Sequence, residues 1–127
     1  MRKIAKFSIL PVAMLTLSAP AAAQAQAAPD GALLFRQRCA SCHVAAPNAT
    51  TRLAPDLTGV VGRKAATAPG FNFSPALKNA NITWTRANLD QYLTAPSRMV
   101  PGTRMVIAVP NPAQRAAILD HLARPAR

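Results

Sequence analysis

The sequence predicts an all-α domain threaded with long ordered loops, on three observations. Capped segments with apolar residues at helical spacing recur along its 127 residues. No stretch alternates apolar and polar residues as a half-buried strand does. Residues 44–73 carry Pro47, Pro55, Gly59, Gly62, Pro69 and Gly70 without sustained periodicity. A loop that long in a compact domain needs something to pack against.

The elements follow in chain order. Arg2, Lys3 and Lys6 precede an apolar run over 7–17, then the small residues Ser18-Ala19-Pro20-Ala21-Ala22-Ala23 and Ala25-Gln26-Ala27. This is the order of a secretory signal, expected over 1–27 with removal near Ala27 or, second, Ala23. The run is too short to span roughly 30 Å of hydrocarbon, and Pro11 interrupts it. Residues 28–127 are then one domain, with no stable membrane insertion expected. Asp30 is an N-cap for a helix holding Leu33, Leu34 and Phe35 and ending near Cys39. Ser74-Pro75 opens a short helix through about Ala80. A third helix begins near Thr85, places Leu89, Tyr92 and Leu93 at i, i+3, i+4, and stops before Pro96. The last is the clearest: Asn111 caps, Pro112 takes the first position, Gln114 stands at the capping-box position, and Ile118, Leu119 and Leu122 form its apolar face.

The formal net charge is +11. Three basic residues fall in the signal, which leaves 12 Lys and Arg against 4 Asp, or +8, in the domain. Acidic partners or membrane surfaces are expected. Nucleic acid is not, because the chain is exported and its charges are spread singly. The domain's aromatics are few, Phe35, Phe71, Phe73, Trp84 and Tyr92. A large apolar cofactor would complete so small a core.

The chemistry lies in Cys39-Ala40-Ser41-Cys42-His43. C-x-x-C-H reads as a covalent haem attachment site. Each thiol adds across one vinyl group, and two intervening residues let both reach one porphyrin. His43 then supplies the proximal ligand. A thioredoxin-like pair lacks its βαβ context. A structural zinc site wants four ligands, and only a distant His121 could join the other three. A disulfide between such close cysteines would close almost no loop. For the sixth position the domain offers Met99, Met105 and His121. His121 reads as a partly exposed helix residue and Met99 as packing in a helical turn after Pro96. Met105 follows Pro101-Gly102, a turn that can hold a thioether at a fixed place, and is the favoured ligand.

Four blocks together are more specific than C-x-x-C-H alone: Gly31 to His43; Pro55-Asp56-Leu57-Thr58-Gly59-Val60-Val61-Gly62-Arg63-Lys64; Ala68-Pro69-Gly70-Phe71; and Thr83-Trp84 through Tyr92-Leu93 to Pro101-Gly102-Thr103-Arg104-Met105. Through them the chain resembles the class I c-type cytochromes, of the soluble mitochondrial and bacterial type, from about Asp30 to Leu122. The resemblance implies the cytochrome c fold, with crossed N- and C-terminal helices and loops wrapped around one covalent haem c. It implies that Gly31 and Phe35 pack against Leu119 and Leu122. Pro55 would accept from the second ring nitrogen of His43, Arg63 and Trp84 would bind a haem propionate, and Tyr92 and Thr103 would lie near Met105. Phe73 stands where the family usually has a propionate-binding tyrosine, Leu77 where an asparagine often lies, Ile107 where an aromatic flanks the haem edge, and Leu122 in place of a C-terminal aromatic. Arg38, Arg52, Arg98 and Arg104 match basic positions around that edge.

The function expected is that of a soluble, monomeric single-haem electron carrier, not an enzyme, working between redox proteins with acidic docking surfaces in an exported compartment, the periplasm if the host is bacterial. A peroxidase or gas-binding protein would need an open iron site. Peroxidase chemistry also needs a nearby acid–base group, and the sequence contains no Glu.

Overall fold

The computed structural model describes residues 27–43 and 53–124. The signal segment, apart from Ala27, and the basic residue Arg52 lie outside these. The described residues contain six helices: α1 Gly31–Arg38, α2 Ala40–His43, α3 Pro75–Asn79, α4 Arg86–Thr94, α5 Pro96–Met99 and α6 Pro112–Leu122. Among the described residues there is no strand, only an isolated antiparallel bridge between Lys64 and Thr83.

Four of the helices start where local side chains satisfy free backbone N–H groups. Asp30 Oδ1 accepts from Ala32 and Leu33 at 2.9 and 3.3 Å. Ser74 Oγ accepts from Leu77 at 3.3 Å, Thr85 Oγ1 from Asn88 at 3.1 Å, and Asn111 Oδ1 from Gln114 at 3.1 Å. Each such cap contributes about 1 kcal/mol. Ala95 ends α4 with φ −157°, because Pro96 excludes the helical conformation from the residue before it. Pro96 then opens α5 at its first turn, where its missing N–H costs nothing. One element differs from expectation. The chain does not leave helix at Cys39 but breaks there, at φ −118°, and resumes as α2. Cys42 and His43 both donate to the Cys39 carbonyl, at 3.1 and 2.9 Å.

α1 crosses α6 at a point that only glycine allows. A Cβ on Gly31 would stand 1.9 Å from the Ala117 carbonyl oxygen. Phe35 meets the His121 ring, with centroids 5.1 Å apart. Gly31 thus meets Ala117 and Phe35 meets His121 on α6. Leu119, 2 % exposed, is turned into the core with Ile118 and Val109.

The irregular part of 53–73 is not adrift. Gly62 donates to Trp84, Trp84 to Arg63 and Ala65 to Ile82, each at 2.8 Å. These bonds lay the segment beside 82–84 and bury Val60, Ala65, Ala68 and Phe73. The result is a shell of loops and short helices around one cavity.

Candidate haem-binding site

Every site residue expected from the sequence lines a single cavity of about 230 Å³. One wall carries Cys39, Cys42, His43 and Pro55; Trp84 and Tyr92 come from the chain before and within α4; Thr103 and Met105 come from the segment after α5; Arg63 comes from the loop. The remaining lining is mainly apolar, including Leu57, Val60, Phe73, Leu77 and Leu93.

α2 sets the spacing of the two thiols and presents His43 one residue later. The His43 Nδ1 lies 2.7 Å from the Pro55 carbonyl. A carbonyl oxygen only accepts, so Nδ1 carries the hydrogen and Nε2 keeps its lone pair. This is the tautomer a metal-ligating imidazole needs, and the carbonyl also fixes the orientation of the ring. Burial pushes the Cys39 thiol above its ordinary value, partly countered by Arg38 and reinforced by Cys42.

The methionine segment is held by a short relay. Thr103 donates its backbone N–H to Val100 at 3.0 Å. Its Oγ1 lies 2.5 Å from the Tyr92 hydroxyl and accepts from the Met105 N–H at 3.4 Å. Gly102 turns the chain at φ +87°, where a Cβ would also press to 3.2 Å from Ala76. Tyr92 is 5 % exposed and packs on Trp84, ring centroids 5.0 Å apart. Burial raises the Tyr92 phenol above its ordinary 10.0, with the Thr103 bond a smaller opposing influence. A raised phenol favours the fold below the unfolded value and loses that contribution as pH climbs through the folded one, so Tyr92 remains protonated through neutral and mildly alkaline pH.

Arg63 and Trp84 are both at the cavity. Arg63 already braces the loop, donating to the carbonyls of Thr58 at 2.9 Å and Asp56 at 2.7 Å. Arg104 donates to the Asn72 carbonyl and lies 5.7 Å from the Phe71 ring centroid. It keeps these contacts while remaining exposed, as Arg38 and Arg98 are. Ser74, read from the sequence only as a cap, is the one buried polar residue described and lines the cavity. Its oxygen accepts from Leu77, so its hydroxyl hydrogen remains to be donated. The clue was its place beside Phe73, where the resemblance leads one to expect a hydroxyl.

The residues fit a covalent haem: two thiols, an imidazole with Nε2 available, and a thioether share one apolar enclosure. No group of three or more His, Cys, Asp or Glu among the described residues could hold a bare metal ion.

No family model matches the chain. It is 42 % identical over 116 residues to cytochrome c2 of Rhodomicrobium vannielii, covering 88 % of this chain and 92 % of that protein. It is 41 % identical over 97 residues to cytochrome c2 of Rhodoblastus acidophilus, covering 76 % and 91 %. The solved structure of cytochrome cH from Methylobacterium extorquens is similar with a TM-score of 0.63 at 39 % identity, covering 72 % of this chain and 92 % of that one.

Proposed function

The chain belongs to the class I c-type cytochromes and has their all-α fold, and on that premise we propose that it is a soluble single-electron carrier with one haem c, attached through Cys39 and Cys42 and ligated by His43 and Met105. The observation that carries this reading is the 2.7 Å His43–Pro55 hydrogen bond, made on the wall of the cavity that Cys39, Cys42 and Met105 also line. When bound, the haem supplies a one-electron ferric/ferrous couple.

The chain's residues do the rest. His43 offers the Nε2 lone pair. Met105 offers a soft thioether, which favours the reduced iron and raises the potential. With both positions taken, no site is left for substrate, which is why the reading is a carrier and not an enzyme. Tyr92 and Thr103 fix the methionine segment, so the ligand set need not rearrange when the charge changes. Leu57, Val60, Phe73 and Leu77 keep water from the cavity. Trp84, Ser74 and the unused donors of Arg63 would hold the propionates, with Ser74 standing in for the hydroxyl that Phe73 lacks.

Residues 1–27 are read as the signal for export, to the periplasm in a bacterial host, and residues 28–127 as one monomeric domain. No helix among the described residues is long and apolar enough to cross a membrane. The domain's excess of positive charge favours acidic redox partners. Exposed Arg38 and Arg104, at the cavity rim, and exposed Arg98 are the cations that would meet them.

The test is stopped-flow electron transfer. The reduced protein should pass one electron to an acidic redox protein and be re-reduced with an unchanged spectrum over repeated cycles. The bimolecular rate should fall steeply with added salt, because steering is screened beyond roughly 10 Å at 0.1 M. Arg38→Gln with Arg98→Gln should flatten that slope. A salt-independent rate would remove the acidic partner, and failure to cycle would remove the carrier.

A further inference from the structure

Arg115 lies on α6, away from every haem-binding residue in sequence, yet its guanidinium joins three parts of the fold. Its Nε donates to Asp90 Oδ1 at 2.8 Å and its Nη2 to Asp90 Oδ2 at 3.4 Å, a forked pair onto α4. Its Nη1 donates to the carbonyls of Val109 at 3.1 Å and Pro110 at 2.8 Å. These carbonyls end the segment that runs on from Met105 towards α6. The Arg115 side chain keeps only 11 % of its surface exposed. Val109, itself 1 % exposed, donates to the Leu93 carbonyl at 2.7 Å.

The methionine segment is therefore fastened at two ends. Upstream, Thr103 ties it to Val100 and to Tyr92. Downstream, Val109 and Pro110 are tied to α4 and α6 through Leu93 and Arg115. Between the ends Met105, Val106 and Ile107 all line the cavity. α4 and α6 are also joined by Arg86, which pairs with Asp120 at 2.7 Å and donates to Ala116 at 3.3 Å. That bridge is exposed and ties α4 to α6 alone, through Asp120 and Ala116.

We propose that Arg115, clamped to Asp90, is a positioning residue for Met105: it anchors the downstream end of the methionine segment and so resists its swinging away from the iron. This rests on the His43/Met105 ligation proposed above. A lysine at 115 could reach one partner but not fork across three. An asparagine at 90 keeps the shape and loses the charge.

The experiment mixes ferric holoprotein with imidazole and follows loss of the sulfur-to-iron absorption as Met105 is displaced. Arg115→Lys and Asp90→Asn are expected to accelerate displacement by about tenfold, the equivalent of one lost charge-assisted hydrogen bond. Arg86→Gln, which cuts the exposed bridge, is expected to stay within about twofold of the unsubstituted protein. Hydrogen exchange at the Val109 amide should rise in the first two variants and not in the third. Unchanged rates in Arg115→Lys and Asp90→Asn would overturn the proposal, as would equal acceleration in Arg86→Gln, which would mean a general loosening of α4 on α6. If the unsubstituted protein lacks the sulfur-to-iron band, the ligation reading fails instead. Val109 exchange then decides the clamp: raised exchange in both variants supports the anchoring, and unchanged exchange refutes it.

Discussion

Met105→Ala is expected to abolish the sulfur-to-iron absorption of the ferric protein, to open the iron to cyanide or carbon monoxide, and to lower the reduction potential by a few tenths of a volt. Axial ligands together span roughly 0.8 V, so a shift of that size is what loss of a thioether would bring. Met105 lines the cavity, and its backbone N–H reaches the Thr103 hydroxyl that Tyr92 also holds. The variant removes the sulfur and leaves that relay in place. Met99 provides the comparison. It lies in α5, packs half-buried against the core, and is not part of the cavity wall. Met99→Ala should keep the absorption and the potential while losing some stability. If Met99→Ala loses the band and Met105→Ala keeps it, the assignment is reversed.

Gly31→Val is expected to be the most destabilising single change in α1. The clash is with backbone, since a Cβ at 31 would lie 1.9 Å from the Ala117 oxygen and 2.6 Å from its carbon. A side chain in the way could rotate, but a helix carbonyl cannot move without breaking α6 or lifting α1 off it. Overpacking that neighbours can absorb costs about 1–3 kcal/mol; here the cost should be at least the upper figure, a large share of the 5–15 kcal/mol that typically separates folded from unfolded. The measurement is the urea midpoint, read with the slope held constant. Leu33→Ala, on the same helix at a position 43 % exposed, should cost less than about 1 kcal/mol. A Gly31→Val midpoint no lower than that of Leu33→Ala would mean that the two helices do not cross there.

What the sequence made legible is what depends on near neighbours. The caps at Asp30, Ser74, Thr85 and Asn111 each act within three residues, and Pro96 and Pro112 set helix starts by their own rings. The C-x-x-C-H run carries its chemistry in five consecutive positions. A local turn is likewise what singles out Met105 over Met99 as the proposed ligand. Other features were hidden because their partners are distant. The bonds that lay Gly62, Arg63 and Ala65 beside 82–84 follow no alternating pattern, so neither half reads as a strand. Phe35 meets His121 because of the angle at which α1 crosses α6, which composition does not contain. Arg115 looks like one more solvated charge until α4 brings Asp90 to it across 25 positions. Arg104, one of four arginines expected at a docking edge, is exposed there and also contacts Phe71 and Asn72, more than 30 positions away in sequence. Ser74 serves as a cap by local rules and as a buried donor at the cavity only by tertiary placement.

The central claim is one haem bonded through Cys39 and Cys42, and the intact mass of the protein after denaturation and acid–organic extraction tests it most directly. The account predicts the mass of the polypeptide plus one haem, no colour in the organic layer, and no thiol left to alkylate. A bare polypeptide with two alkylatable cysteines and haem recovered in the solvent would contradict it.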